Sequence, residues 1–109
     1  MQEDIFIECE FAQQERLKES LNSMGLCSSI PDLYWLPVPD ELLSDLQEEH
    51  KESCGPYVMA LEITASGLNL EMLVRAKNQM HCACIAMAAQ ATAQHMLDYV
   101  HLLLFKDKV

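Results

Sequence analysis

Two short clusters hold the chain's potential for chemistry: His50-x-x-x-Cys54 and His81-Cys82-x-Cys84. On a helix, His50 and Cys54 stand four residues apart and share a face. Two or three thiolates with an imidazole make a ligand set suited to tetrahedral zinc. Thiolates bind metal only when deprotonated, and Lys51, Arg75 and Lys77 lie close enough in the sequence to favour that slightly. His50, Cys54, Cys82 and Cys84 are therefore the candidate metal ligands. The spacing is not a C-x-x-C knuckle, and a plainer reading competes with it. In that reading Cys82 and Cys84 belong to an apolar strand face, where free cysteine packs as a small hydrophobe.

Redox chemistry is the other use of such thiols. As i, i+2 neighbours on an extended strand, Cys82 and Cys84 would stand about 6.5 Å apart at Cα with parallel Cβ vectors, near the limit of disulfide geometry. Cys54, at a helix end beside Gly55-Pro56, is the thiol expected to be most exposed. A helix C-terminus tends to raise its pKa rather than activate it. Other catalytic signatures are absent: there is no Gly-rich phosphate loop, no H-E-x-x-H, no G-x-S-x-G and no dinucleotide fingerprint. With only 3 glycines in the chain, a phosphate cradle of close backbone approaches is excluded. The acids Glu41, Asp45, Glu48, Glu49 and Glu52 read as a solvated helix face. His95 and His101 read as the rim of the last helix; Tyr34-Trp35, in a Pro-bounded segment, could line a pocket but reads first as core.

The elements that must position the clusters centre on Cys54–Ala88. Three extended runs, Tyr57–Thr64, Leu68–Lys77 and His81–Ala88, are separated by Ala65–Gly67 and Asn78–Met80, linkers short enough to force antiparallel hairpins. A register aligning Leu61 with Leu70 and Ala76 with Cys82 gives one uncharged face, from Tyr57, Met59 and Leu61 through Leu68, Leu70, Met72 and Val74 to Cys82 and Cys84. The other face is amphipathic, with acids near the first turn, bases at the far end and Leu73, Ile85 and Met87 between. The second turn brings the start of the third run beside the start of the first, so Cys54 and Cys82 approach to about 10 Å before any loop movement.

Around this meander, Asp4–Phe11 alternates as a strand with Ile5, Ile7, Cys9 and Phe11 inward. Leu17, Leu21 and Met24 define a helix over about Gln13–Met24, ended by Gly25 with Leu26 folding back. Leu33–Pro39 has strand composition, but Pro37 confines it to an edge strand or plain extended chain. A second helix is expected from an Asp40 cap to about Ser53, with Leu42, Leu43 and Leu46 inside. A last helix is expected from a Thr92 cap to about Lys106. Met96, Leu97, Tyr99, Val100, Leu103 and Leu104 form its apolar arc, with Leu102 and Phe105 outside it. The whole is an α+β fold over residues 1–109: an antiparallel sheet built on the meander plus the N-terminal strand, with about three helices on one face.

At 109 residues with 50% apolar content the chain can bury one core. Its 17 acidic against 7 basic residues give a net charge of −10, which argues against nucleic acid or an anionic membrane as partner. The acidic N-terminus has no basic leader, no run reaches the roughly 18 apolar residues of a membrane span, and five cysteines make an odd number. A cytoplasmic protein with thiols or metal ligands rather than a disulfide framework is expected. The half-apolar sheet face, with Leu73, Ile85 and Met87, joins Leu102, Phe105 and the β edge as candidate interface. These features point to a non-enzymatic homo-oligomeric interaction or structural module, expected as a homodimer and open to a further protein partner. A small zinc-binding protein is the alternative and a thiol-redox protein the third reading; the first reading expects no cofactor, the alternative zinc.

Overall fold

The computed structural model describes residues 4–105 and is of the α+β class. In chain order the elements are β1 (Asp4–Glu8), α1 (Phe11–Ser23), β2 (Leu33–Pro37), a 3₁₀ turn (Asp40–Leu42), α2 (Asp45–Glu49), α3 (Lys51–Cys54), β3 (Tyr57–Ile63), β4 (Gly67–Glu71), β5 (Leu73–Ala76), β6 (Ala86–Met87) and α4 (Gln90–Phe105). All strand pairs are antiparallel. β3 is the centre: Leu61 pairs with both Tyr34 and Leu70, and Val58 with both Pro37 and Arg75. β2 therefore occupies one edge of β3, while β4 and β5 follow each other along the opposite edge. β1 then pairs with β4, and β6 with β5.

The expected second strand is broken at Met72. Leu61 faces Leu70 as the hairpin predicts, but Tyr57 faces Ala76, a slip of two residues that places a bulge between β4 and β5. Because the slip is even, side-chain alternation survives it, and Leu68, Leu70, Met72, Val74 and Ala76 all stay buried. The Met72 carbonyl is turned to accept the Ala88 N–H at 2.9 Å. The expected third strand shrinks to Ala86–Met87, pairing Val74 with Ala86; His81–Ile85 is instead bend and turn, closed by Ile85 N–H to the Cys82 carbonyl at 3.0 Å.

The covered face follows the predicted pattern. Leu17 and Leu21 of α1 and Met96, Val100 and Leu104 of α4 join Leu36, Met59, Leu61, Leu68 and Leu70 in one core. α1 ends as expected: Gly25 has φ +73°, Leu26 N–H returns to the Leu21 carbonyl at 3.1 Å and Gly25 N–H to Asn22 at 3.0 Å. Gly67 is required for a different reason, since a Cβ there would lie 2.2 Å from the Ile7 carbonyl where β1 crosses.

Four smaller expectations are corrected. Phe11 begins α1 and is 73% exposed, because the Glu10/Gln13 capping box starts the helix earlier than the strand pattern implies. The second helix is interrupted: Ser44, not Asp40, caps α2, its Oγ accepting Gln47 N–H while Gln47 Oε1 accepts Ser44 N–H. That rotates Gln47 inward and leaves Leu46 exposed. Thr92 lies inside α4 and donates to the Leu42 carbonyl at 3.4 Å; the expected helix end at Lys106 lies outside the described residues. The β2 edge is not open: Trp35 N–H reaches the Leu26 carbonyl at 2.9 Å and Ser28 N–H the Leu33 carbonyl at 3.0 Å. Among the described residues, no helix is long and apolar enough to cross a membrane.

Candidate metal centre

His50 sits at the joint between α2 and α3, with φ −95° and ψ 5°. The helical bonding still runs through it, Cys54 N–H donating to the His50 carbonyl at 2.8 Å, so His50 and Cys54 share a face as their spacing predicts. Opposite them, the Cys82–Ile85 turn presents Cys82 and Cys84. The two arms are held in register by backbone bonds: Asn78 N–H to the Cys54 carbonyl and Lys77 N–H to the Pro56 carbonyl, both 3.0 Å. Asn78 also donates from its side chain to the Gly55 carbonyl.

The four predicted ligands converge. His50 Nδ1 lies 3.1 Å from Cys82 Sγ and 4.0 Å from Cys54 Sγ; Cys54 and Cys82 sulfurs are 3.6 Å apart. With one ligand atom from each of His50, Cys54, Cys82 and Cys84, all four atoms fall within 4.8 Å of one another. Zinc bonds of about 2.3 Å to sulfur and 2.0–2.1 Å to nitrogen give tetrahedral edges of about 3.8 Å between sulfurs and about 3.6 Å between sulfur and nitrogen. The Cys54–Cys82 sulfur separation of 3.6 Å is close to the first value, and the distances from His50 Nδ1 to Cys82 and Cys54 bracket the second. The donor set could hold a metal ion, and its chemistry is consistent with zinc.

Burial differs across the cluster. Cys54 and Cys84 are buried, whereas His50 and Cys82 are half-buried. The expectation that Cys54 is the exposed thiol is thus reversed: Cys54 joins the core, and Asn78 covers the helix end by bonding to the Cys54 and Gly55 carbonyls. Hydrogen bonds from the Cys84 backbone and side chain, then from His50, pull the Cys82 thiol down to about 6. Burial pushes its neighbour Cys84 up to about 11. Lysine and arginine are not the cause: Lys51 pairs with Asp40 at 3.0 Å and Arg75 with Glu71 at 2.7 Å. Burial likewise raises the Tyr57 phenol, with Cys84 as the next contributor.

Gln47 and Tyr57 complete the support and were not foreseen in that role. The buried Gln47 amide donates to the Cys84 carbonyl at 3.0 Å, and Tyr57 Oη donates to the Gln47 carbonyl at 2.9 Å. The Ser44-x-x-Gln47 capping box was the available signal, since it marks a helix start that turns Gln47 toward the sheet. His81 is exposed, Cys27 is exposed on the β2 side, and the half-buried Cys9 thiol is raised by burial; none of the three belongs to the cluster.

The candidate interface residues separate onto two surfaces. Leu73 and Met87 are cross-strand partners on the second sheet face, near Ile85. Leu102 and Phe105 are exposed on α4, where the Phe105 ring stacks on His101 at 6.4 Å between centroids.

Fold and site together define an α+β domain with a compact three-cysteine, one-histidine cluster. No protein-family profile, curated protein or solved structure matches the chain.

Proposed function

We propose that the protein is a small zinc-binding module in which His50, Cys54, Cys82 and Cys84 hold one ion as a structural clip. The observation that supports this reading is the convergence of four ligand atoms within 4.8 Å from two separate chain segments. Sulfur-rich, four-membered donor sets favour zinc over magnesium or calcium, which take six or more oxygens. Four protein ligands leave no open position for water or substrate, so the ion serves folding and binding rather than catalysis. Its work is to pin the His81–Ile85 turn, which lacks a strand ladder, to the α2–α3 arm.

Native mass spectrometry of protein purified without chelator tests this. One zinc per chain is expected, held less tightly in Cys84→Ser and in His50→Ala, with loosening of the His81–Ile85 turn on chelation. Protein that remains at apo mass after zinc addition would contradict it. A second reading rests on the 3.6 Å Cys54–Cys82 sulfur separation: metal-free protein lighter by the two hydrogens of a disulfide, and restored by reductant, would assign that pair to redox chemistry.

A further inference from the structure

The sheet's second face has the makings of a self-complementary contact. Its apolar belt crosses β2, β3, β5 and β6: Trp35, Val58, Leu73, Ile85 and Met87. Val58 is buried in a groove of about 320 Å³ walled by Trp35, Met80 and Ile85, while Met80 is 85% and Met87 46% exposed. Charge is segregated along the strands. Asp4, Glu62 and Glu71 surround a hollow at one end. Arg75 and Lys77 line the groove at the other. Glu71 holds Arg75 in a two-point ion pair at 2.7 and 3.0 Å, which leaves Asp4 and Glu62 against Lys77 as the outer charges.

We propose that this face binds a second copy of the same chain, about a two-fold axis lying in the face and perpendicular to the strands. Such an axis reverses strand direction. It sets Lys77 of one copy against Asp4 and Glu62 of the other, and lays the apolar belt on itself. Edge-to-edge association is disfavoured by comparison. The outer edge of β2 is already bonded to Leu26–Ser28, and antiparallel self-pairing of β1 about Phe6 would oppose Asp4 to Glu8, like charges facing directly. The net charge of −10 per chain does not forbid the face contact, because at physiological salt charges farther than about 8 Å apart are screened and the facing pairs dominate.

Area sets the strength. Four strand columns spaced about 4.8 Å apart and some six residues long give a flat footprint of about 400 Å². Even allowing for side-chain relief, that is at the low end of specific interfaces, so a weak, concentration-dependent dimer is expected.

Sedimentation velocity of the full chain across low to high micromolar concentration tests the proposal, with circular dichroism as the folding control. A monomer–dimer equilibrium is expected. Met87→Glu abolishes it without changing the spectrum, since the side chain is already exposed. Leu102→Glu on α4 leaves it unchanged. Lys77→Glu, which removes the contact twice in a two-fold dimer, weakens it by roughly two- to thirtyfold, and adding Glu62→Lys restores part of that loss, Asp4 still facing position 77. A parent that stays monomeric throughout overturns the proposal. So does a dimer that survives Met87→Glu or dissolves with Leu102→Glu, and a failed charge-swap rescue overturns the two-fold orientation.

Discussion

The two ends of β3 are held by different physics. At the Leu61–Ile63 end, β3 and β4 form a regular ladder flanked by β1, and Leu61, Leu68 and Leu70 are wholly buried under α1 and α4. At the Tyr57 end the ladder to β5 is brief, and the neighbouring His81–Ile85 segment has turn geometry with little regular pairing. What gathers there is a cluster of sulfur and imidazole with Gln47 and Tyr57 behind it. One end is fixed by apolar area that any good hydrophobe can supply; the other needs donor atoms at set distances. On the zinc reading proposed above, a 109-residue chain would stabilise an irregular turn without lengthening its sheet.

The comparison can be broken from either side. The largest effect belongs to the apolar end: Leu61→Ala, removing a fully buried side chain, is expected to cost about 2–5 kcal/mol in denaturant unfolding, with or without metal. Zinc removal should act on the other end. At free zinc about a hundredfold above its dissociation constant, the lost stabilisation is about 2.7 kcal/mol. Hydrogen exchange should then accelerate over residues 78–88 while β3 and β4 near Leu61 keep their protection; uniform acceleration would mean that the two ends are one unit. Gln47→Ala ranks next, at about 1–3 kcal/mol, because it strips the buried Cys84 carbonyl of its donor. Its distinguishing readout is weaker zinc retention against a competing chelator, which Leu61→Ala should not show.

A pH dependence sharpens the same contrast. Cys82 is held below its usual range in the folded chain, so it favours the metal-free fold above the unfolded value of 9.0, and that contribution fades as pH falls through about 6. Cys84 is held above its usual range, so its contribution is present below 9.0 and lost as pH rises through about 11. Metal-free protein should therefore gain stability from about pH 6 to 9 and lose it beyond, and Cys82→Ser should remove the rising limb in denaturation measured across that range. The smallest effect is at the surface: Lys18→Ala, which breaks exposed pairs with Glu15 and Asp32 at 3.3 and 3.5 Å, should change stability by no more than about 1 kcal/mol.

Local chemistry made much of this legible in the sequence. Gly25 and Leu26 announced the end of α1, Pro37 announced an edge strand, and period-2 alternation assigned the buried face of β3, β4 and β5 correctly. Cys54 and Cys82 do meet, at 3.6 Å between sulfurs, but through the long Lys77–Ile85 segment between β5 and β6 rather than the short hairpin turn expected. Other features depended on competition between residues. His81–Ala88 has strand composition, yet Gln47 takes the Cys84 carbonyl and Ile85 bonds back to Cys82, so the backbone bends. Asp40 is a sound cap, but Ser44 with Gln47 is a reciprocal one and divides the helix. The Met72 bulge left no mark in the hydrophobic pattern, because an even slip preserves it. Cys84 is a core residue, as the plainer reading has it, and its sulfur also lies within 4.8 Å of the other three candidate donors.

Zinc-edge X-ray absorption of the purified, metal-loaded protein addresses the central claim most directly. Three sulfurs at about 2.3 Å and one nitrogen at about 2.0–2.1 Å are expected, with the sulfur count falling by one in Cys84→Ser. A shell of oxygen and nitrogen alone, or a sulfur count that Cys84→Ser leaves unchanged, would contradict it.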